Sequence, residues 1–177
     1  MQTNLRLDAV HSADIAPDLA AAVHAFCHRA HDEDLTPLFA TFVEAAHVLA
    51  FLHGTLASHA MRVTRWLQPG DAPLLRTAYV EMVATEPCLQ RRGLASAVTR
   101  RLASEISAYD MGALCPAEPE LYAGLGWVFW RGPLFIRPGQ TLIPTPDERV
   151  MILRLPGTPV LDPNQPLSAE WREGELW

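Results

Sequence analysis

Residues 79–95 read Tyr-Val-Glu-Met-Val-Ala-Thr-Glu-Pro-Cys-Leu-Gln-Arg-Arg-Gly-Leu-Ala, and they carry the strongest structural signal in the chain. Together with the residues before it, this stretch predicts a buried strand over Leu75–Thr85, which Pro87 ends. From Leu94 onward, apolar side chains recur at helical spacing at Val98, Leu102, Ile106 and Tyr109. The segment therefore predicts a strand, a turn with one glycine, and a helix.

The turn at Gln90–Ala95 has the features of an anion-binding site. A helix start leaves backbone N–H groups unpaired and carries the positive end of the helix dipole. Gly93 removes a side chain where a phosphate would approach the backbone, and Arg91 and Arg92 add positive charge. These residues by themselves are equally compatible with an ordinary turn whose arginines are solvated.

Helices and strands are also predicted before this segment. One apolar face at helical spacing predicts a first helix through Leu19, Val23, Phe26, Cys27 and Ala30. Thr36 is predicted to cap a short second helix, with Pro37 at its first position and Phe39, Phe42 and Val43 along it. Two strands, Val48–Leu52 and Leu56–Leu67, are predicted around a turn at His53-Gly54.

After the segment, the pattern again alternates between the two kinds of element. Strands are predicted at Gly112–Cys115, Trp127–Trp130 and Val150–Leu155, with a short helix at Pro119–Leu125. Residues 156–177 are predicted to be extended. Strands alternating with helices indicate one mixed α/β domain over residues 1–177.

Composition narrows the class of protein. The chain has 177 residues, 49% of them hydrophobic and 19% charged, which supports a sizeable core. The net charge of −6 favours a small cationic partner over nucleic acid. Three cysteines at unrelated spacings indicate a reducing compartment, so we expect a cytoplasmic protein. No signal-peptide pattern and no apolar run of the roughly 18 residues needed for a membrane span are found.

The loop Gln90-x-x-Gly93-x-Ala95, placed between a strand and a helix, resembles the acetyl-CoA loop of GNAT acetyltransferases. Leu121-Tyr122 followed by Gly126-Trp127 resembles a second motif of that family. The resemblance implies the GNAT fold, a mixed and mostly antiparallel central sheet flanked by helices, with acetyl-CoA as cofactor. It assigns the pyrophosphate to Gln90, Arg91, Arg92, Gly93, Leu94 and Ala95, and the pantetheine arm to the strand backbone at Met82, Val83 and Thr85.

Further motifs resemble the aminoglycoside 2'-N-acetyltransferases among GNAT enzymes. They are Tyr79-Val80-Glu81, Gly112-Ala113-Leu114, Trp130-x-Gly132-Pro133 and the stretch from Trp171 to Trp177. The resemblance implies that Glu81 is a base acting through water and that Tyr122 is the acid that protonates the leaving thiolate. The alternatives are a strand-edge glutamate paired with an arginine and a core tyrosine.

The same resemblance implies an acceptor site completed by residues 156–177. We expect the Trp177 indole and α-carboxylate to lie at the amine, although a terminal residue ordinarily frays. The predicted acceptor residues are Asp32, Glu33, Asp34, Glu81, Cys115, Asp147, Glu148, Glu175 and Trp177. A homodimer is also implied, for which the apolar strand Val150–Leu155 is a candidate interface.

The N-terminal acceptor wall departs from the subfamily. Its usual Gly-Asp-Phe and Asp-Trp pattern is replaced by His31-Asp32-Glu33-Asp34-Leu35-Thr36-Pro37-Leu38-Phe39. The loop after the Gly112-Ala113-Leu114 strand is also shorter. Fewer carboxylates suit an acceptor with fewer amines, since buried charges need partners. We therefore expect kasugamycin, which has an inositol ring and a 2'-amine, and a role in antibiotic resistance.

Two other functions compete with this interpretation. The chain is either a GNAT enzyme for another small amine or a peptide N-terminus, or a binding module for acetyl-CoA or drug without turnover. The presence of both Glu81 and Tyr122 argues against the second. His24, His28 and His31 can share a helix face, but no matching acidic ligand accompanies them, so we expect no metal.

Overall fold

The computed structural model describes residues 4–174 and 176–177. The chain divides into two compact units. The first unit comprises the chain up to Val63 together with Val80–Glu105, and the second comprises Thr64–Tyr79 and Ile106–Trp177. Two long strands, β3 (Thr55–Pro69) and β4 (Leu75–Thr85), each contribute residues to both units.

The first unit contains an antiparallel sheet and three helices. Its elements are β1 (Leu5–His11), α1 (Pro17–His31), α2 (Thr36–Phe39), β2 (Ala46–Leu52), the part of β3 up to Val63, the part of β4 from Val80 onward, and α3 (Leu94–Glu105). β2 pairs with β1 on one side and with β3 on the other. The apolar face of α1 is buried through Val23, Phe26 and Cys27, as the helical spacing predicts.

The predicted second helix is correct in position but wrong in length and cap. α2 ends at Phe39, so Phe42 and Val43 lie beyond it, and Val43 is 74% exposed. Thr36 is the first residue of the helix. The Asp34 carboxylate accepts a hydrogen bond from the Thr36 backbone N–H at 3.0 Å. Leu35 is therefore the N-cap residue in place of Thr36, and it makes no side-chain capping bond.

The central segment agrees with its prediction at β4 and differs at the helix end. β4 spans Leu75–Thr85 as expected, and a 3-10 turn at Pro87–Leu89 follows it. α3 stops at Glu105, whereas the apolar spacing continued to Tyr109. The chain turns there, with the Tyr109 N–H donating to the Ile106 carbonyl at 3.0 Å, and both side chains are still buried. The helical spacing of apolar residues therefore continues beyond the last residue of the helix.

The second unit is mostly strands. It adds β5 (Met111–Leu114), α4 (Pro119–Ala123), β6 (Val128–Phe129), β7 (Leu134–Arg137), β8 (Ile143–Pro144), β9 (Met151–Arg154) and β10 (Leu167–Glu170). One run of paired strands is β6-β9-β5-β4, and another is β3-β10-β7-β8. Of the eight strand pairings detailed for the described residues, six are antiparallel, which agrees with the predicted mixed, mostly antiparallel sheet.

Three strands of the second unit were not predicted, namely β7, β8 and β10. β10 lies between β3 and β7, so the extended segment 156–177 includes a strand of the sheet. The candidate interface strand Val150–Leu155 is interior instead. β9 pairs with β5 and β6, and Val150, Met151 and Ile152 are buried within the chain. Its apolar character reflects the core and is not available for a second subunit.

Candidate functional site

The loop between β4 and α3 forms an open, positively charged helix start. Arg91 (φ 59°) and Gly93 (φ 80°) both adopt the left-handed conformation, and both are exposed. The Gly93 carbonyl accepts the Ala97 N–H at 2.9 Å and so begins the helix, while Leu94 is buried. The first turn of α3 contains no acidic residue, and a Cβ at Gly93 would meet nothing within 4 Å. This cradle of N–H groups and arginines fits a pyrophosphate.

The end of β4 in the first unit contains a backbone irregularity at Met82. Met82 has a φ of 50°, which costs a non-glycine residue of order 1–3 kcal/mol. Its carbonyl accepts a hydrogen bond from His59 Nδ1 at 2.8 Å. A left-handed residue inside a strand is typical of a β-bulge, and this irregularity, called here the bulge at Met82, lies next to Glu81. Glu81 itself is buried, with 7% of its surface exposed.

The other predicted backbone contacts to the cofactor lie on the same part of β4. Met82, Val83 and Thr85 are all half-buried. Ser58 Oγ donates to the Ala84 carbonyl at 2.8 Å and lies 2.8 Å from Thr85 Oγ1. The Thr85 hydroxyl therefore contacts Ser58 on β3. The backbone of Thr85 is still the group that we predict to contact the pantetheine arm.

Tyr122 lies on α4 in the second unit and is 7% exposed. Its ring meets that of Trp127 edge-on at 6.2 Å, and its carbonyl accepts the Trp127 N–H at 3.1 Å. Burial, and next the negative charge of Glu118, raise the pKa of Tyr122 to about 12. The phenol therefore keeps its proton at neutral pH, as a general acid must.

Trp177 is fixed within the second unit. It is 5% exposed, and its indole Nε1 donates to Thr145 Oγ1 at 2.8 Å. The carbonyl of Leu176 accepts a hydrogen bond of 2.6 Å from Arg65 Nη1. The last two residues are thus anchored, in contrast to the usual fraying of a terminal segment.

Arg65 is a structural centre that the sequence interpretation missed. It is 1% exposed and also donates to the Glu170 carbonyl at 2.7 Å and to the Glu170 carboxylate at 3.3 Å. Its guanidinium lies 5.1 Å from the centre of the Tyr79 ring, which Arg172 also faces at 5.6 Å. Burial, and next the charge of Arg172, lower the pKa of Arg65, but a guanidinium stays protonated.

A signal for Arg65 was present in the alternation of β3. Val63, Leu67 and Pro69 share the two-residue period of Arg65, and all four are buried. An arginine on the buried face of a strand needs hydrogen-bonding partners, and here these lie on a segment more than a hundred residues away.

Two predicted acceptor residues of the second unit are brought together. Cys115 Sγ lies 3.4 Å from Glu148 Oε2, and both side chains are exposed. Asp147 is exposed as well. Glu175, another predicted acceptor residue, lies outside the described residues.

The three predicted acceptor residues of the first unit form the connection from α1 to α2. Asp32 adopts the left-handed conformation that ends α1, and the N–H groups of Asp32 and Glu33 both reach the His28 carbonyl. Hydrogen bonds from Thr36 lower the pKa of Asp34. These residues are exposed and have local structural roles, and their contact with an acceptor stays a prediction.

The helix histidines do not assemble a metal site in the part of the chain that the structure describes. No group of three histidine, cysteine, aspartate or glutamate side chains there has the arrangement needed to hold a metal ion. His24 stacks on Phe39 at 4.1 Å, and His28 lies 3.8 Å from the Asp34 carboxylate. Among the described helices, none is long and apolar enough to cross a bilayer.

Comparison with known proteins defines the class. Residues 11–129 match the acetyltransferase (GNAT) domain family, and the chain belongs to that family. It is an acyltransferase, and acetyl-CoA is its cofactor. A GNAT family N-acetyltransferase of Escherichia coli (YhbS), solved in complex with CoA, has a TM-score of 0.66 at 14% identity and covers 98% of this chain and 93% of its own.

A second comparison places the chain within the class. An aminoglycoside 2'-N-acetyltransferase of Mycolicibacterium fortuitum is 35% identical over 138 residues, which cover 74% of this chain and 70% of that protein. The predicted resemblance to the aminoglycoside 2'-N-acetyltransferases is thereby confirmed.

Some solved structures share the fold over a longer chain. A probable N-acyltransferase of Enterococcus faecalis has a TM-score of 0.62 at 14% identity and covers 74% of this chain. This chain spans about a third of the length of that structure and of those from Mycobacterium abscessus and Kribbella flavida. At such identities the similarity shows the fold alone.

Proposed function

We propose that this enzyme transfers an acetyl group from acetyl-CoA to the 2'-amine of an aminoglycoside, and thereby confers resistance. When bound, acetyl-CoA supplies the acetyl group as a reactive thioester. Support comes from the family, from the relative's name as an aminoglycoside 2'-N-acetyltransferase, and from the cradle at Gln90–Ala95. In the cradle, Arg91, Arg92 and the first N–H groups of α3 bind the pyrophosphate. The backbone of Met82, Val83 and Thr85 binds the pantetheine arm.

We assign the proton transfers to Glu81 and Tyr122. Glu81 accepts the proton that the substrate ammonium must lose, through one ordered water, because little bulk water reaches a side chain that is 7% exposed. With acetyl-CoA bound, the neutral amine would form the new N–C bond as the C–S bond breaks, and its nitrogen would release one further proton to solvent to become the amide. Tyr122 gives its proton to the leaving sulfur and recovers one from solvent. The phenol is protonated at every physiological pH, which this role requires.

The observation that carries the choice of acceptor is the anchored segment Leu176–Trp177. A buried indole held by Thr145, and a backbone held by Arg65, provide a fixed wall for a polar ligand. Glu148 and Asp147 are the exposed carboxylates of the same unit that we assign to substrate ammonium groups. The ammonium groups of an aminoglycoside suit these exposed carboxylates.

Kasugamycin is the aminoglycoside that we favour. Among the three acidic residues of the α1–α2 connection, Asp34 already binds the Thr36 N–H through its carboxylate, which leaves that carboxylate less available for an amine. A thiol-release assay with kasugamycin, kanamycin and gentamicin tests this choice. We expect turnover of kasugamycin. Fast turnover of kanamycin and gentamicin without kasugamycin would refute the choice of drug and leave the reaction intact.

The thiol-release assay, together with calorimetry, also distinguishes this function from two alternatives. An enzyme for another amine would turn over polyamines or peptide N-termini faster than any aminoglycoside. A binding module would bind drug and acetyl-CoA in calorimetry and release no coenzyme A.

We also propose a cytoplasmic homodimer. Cys27, Cys88 and Cys115 are free thiols, which suits a reducing compartment. Because β9 is interior, we assign the dimer contact to exposed apolar side chains at the turn into β8, Leu142 and Ile143, which are 51% and 48% exposed. Light scattering of the wild type and of a Leu142→Glu, Ile143→Glu variant tests this: the wild type should have twice the chain mass and the variant the mass of one chain.

A further inference from the structure

A pair of buried histidines in the first unit has no place in the reaction described so far. His59 on β3 is fully buried, and His47 on β2 is 6% exposed. His59 Nε2 lies 3.0 Å from His47 Nδ1, and the two rings are 5.3 Å apart. The other ring nitrogen of His59, Nδ1, lies 2.8 Å from the Met82 carbonyl oxygen.

The carbonyl fixes the direction of this chain of hydrogen bonds. A carbonyl only accepts, so the proton of His59 is on Nδ1 and points at Met82. His59 Nε2 then accepts from His47 Nδ1–H. Burial lowers the pKa of His59 to about 3 and that of His47 to about 4, so both rings are neutral at pH 7. Cys27, whose Sγ is 3.4 Å from His59 Nδ1, is a thiol as well, since burial raises its pKa to about 12.

The chain of hydrogen bonds ends at a group that cannot exchange a proton. An amide carbonyl neither gives nor takes one at neutral pH, so the histidines are unsuited to proton transfer. What they can do is hold the Met82 carbonyl in place. That carbonyl belongs to the left-handed residue of β4 (φ 50°), and a strained conformation persists only where surrounding contacts enforce it.

We propose that His59, oriented by His47, is a positioning residue that holds the bulge at Met82 and thereby sets Glu81 and the cofactor-binding backbone of β4. The inference rests on the proposed function of Glu81, Met82 and Val83. The neighbouring Ser58 reinforces the same stretch through its bond to the Ala84 carbonyl at 2.8 Å. Two side chains of β3, those of His59 and Ser58, thus bond to backbone carbonyls of this part of β4.

Two variants whose side chains have the same branched shape isolate the hydrogen bond. His59→Asn places an amide N–H where Nδ1–H stood, whereas His59→Leu removes the donor. We expect His59→Leu to weaken CoA binding and to lower kcat by about tenfold or more, because small displacements of reacting groups are costly. His59→Asn should stay within about threefold of the wild type in both quantities. CoA affinity is measured by calorimetry and kcat by thiol release.

The outcomes separate positioning from a merely structural role. If Asn and Leu have equal CoA affinity and equal kcat, the inference is wrong, whatever their melting temperatures. If His59→Leu does not fold, His59→Gln replaces it, because its amide reaches the Nε2 position and misses Met82. Equal behaviour of Gln and Asn would then overturn the inference. If the wild type binds CoA but acetylates no aminoglycoside, the proposed acceptor has failed, and the CoA affinities of the variants still decide the role of His59.

Discussion

Buried polar side chains hold the backbone in both units, but they do so with different charges. In the first unit, neutral His59 and Ser58 hold the irregular end of β4. In the second unit, the charged Arg65 holds the segment that contains Glu170 and Leu176. Moving a neutral donor out of water costs less free energy than moving a cation. A buried cation is therefore tolerated only when all of its hydrogen-bonding partners are present. The hydrogen bonds of Arg65 should therefore be more sensitive to the loss of one partner than those of His59 and Ser58.

The largest expected effect concerns Glu81 and Tyr122, the residues to which we assign the proton transfers. Tyr122→Phe and Glu81→Gln should each lower kcat by roughly 10²–10⁴-fold, the usual contribution of a general acid or base. Thiol release under saturating substrates measures this effect, and CoA affinity should stay near that of the wild type. An unchanged kcat in either variant would remove that residue from the mechanism.

The second effect compares the two buried networks by stability. Arg65→Met should lower the free energy of unfolding by about 3 kcal/mol, because the Glu170 carboxylate and the carbonyls of Glu170 and Leu176 would lose their donor. Arg62→Met is the matched control from the first-unit part of the same strand. Arg62 is half-buried and donates to the Glu44 carbonyl at 3.2 Å, so the expected loss is about 1 kcal/mol. Urea unfolding measures both, and equal losses would contradict the distinction between the units.

Residues near in sequence were predictable, and residues joined over long distances were not. The strand β4, the turn at Gly93 and the start of α3 follow from local spacing and from one glycine. β10 was missed because its partners β3 and β7 are remote, and its four residues carry no strong pattern. Arg65 and His59 were missed for the same reason, since a hydrogen bond to Leu176 or to Met82 leaves no trace in the neighbouring sequence.

The third effect concerns the aromatic wall of the second unit. Trp177→Ala should raise the KM for the aminoglycoside by about tenfold and leave the KM for acetyl-CoA unchanged, because we assign the indole to the acceptor site. Trp171→Ala provides the control, since Trp171 is 56% exposed in the same segment. If both variants behave alike, the anchored position of Trp177 has no part in acceptor binding.

The smallest effect is a pH dependence of stability that arises in the first unit. The pKa of His47 falls to about 4 on folding, so the unfolded chain binds more protons than the folded chain between about pH 6.5 and pH 4. Stability is therefore complete above that range and is lost as the pH falls through it, by up to about 1.4 kcal/mol per pH unit for one histidine.

Comparing unfolding at pH 7 and pH 5 isolates this contribution from that of the carboxylates. His47→Gln should lose less stability than the wild type over this interval. His53→Gln, at an exposed position on the turn between β2 and β3, should match the wild type. An identical loss in His47→Gln and the wild type would mean that His47 is not held neutral.

We propose above that the 2'-amine of an aminoglycoside receives the acetyl group. The direct measurement is nuclear magnetic resonance of the product formed from acetyl-CoA and kasugamycin, with kanamycin in parallel. We predict a single acetyl group whose amide proton couples to the proton on carbon 2', together with one coenzyme A released per product. Acetylation at another amine, or coenzyme A release without an acetylated drug, would contradict the account.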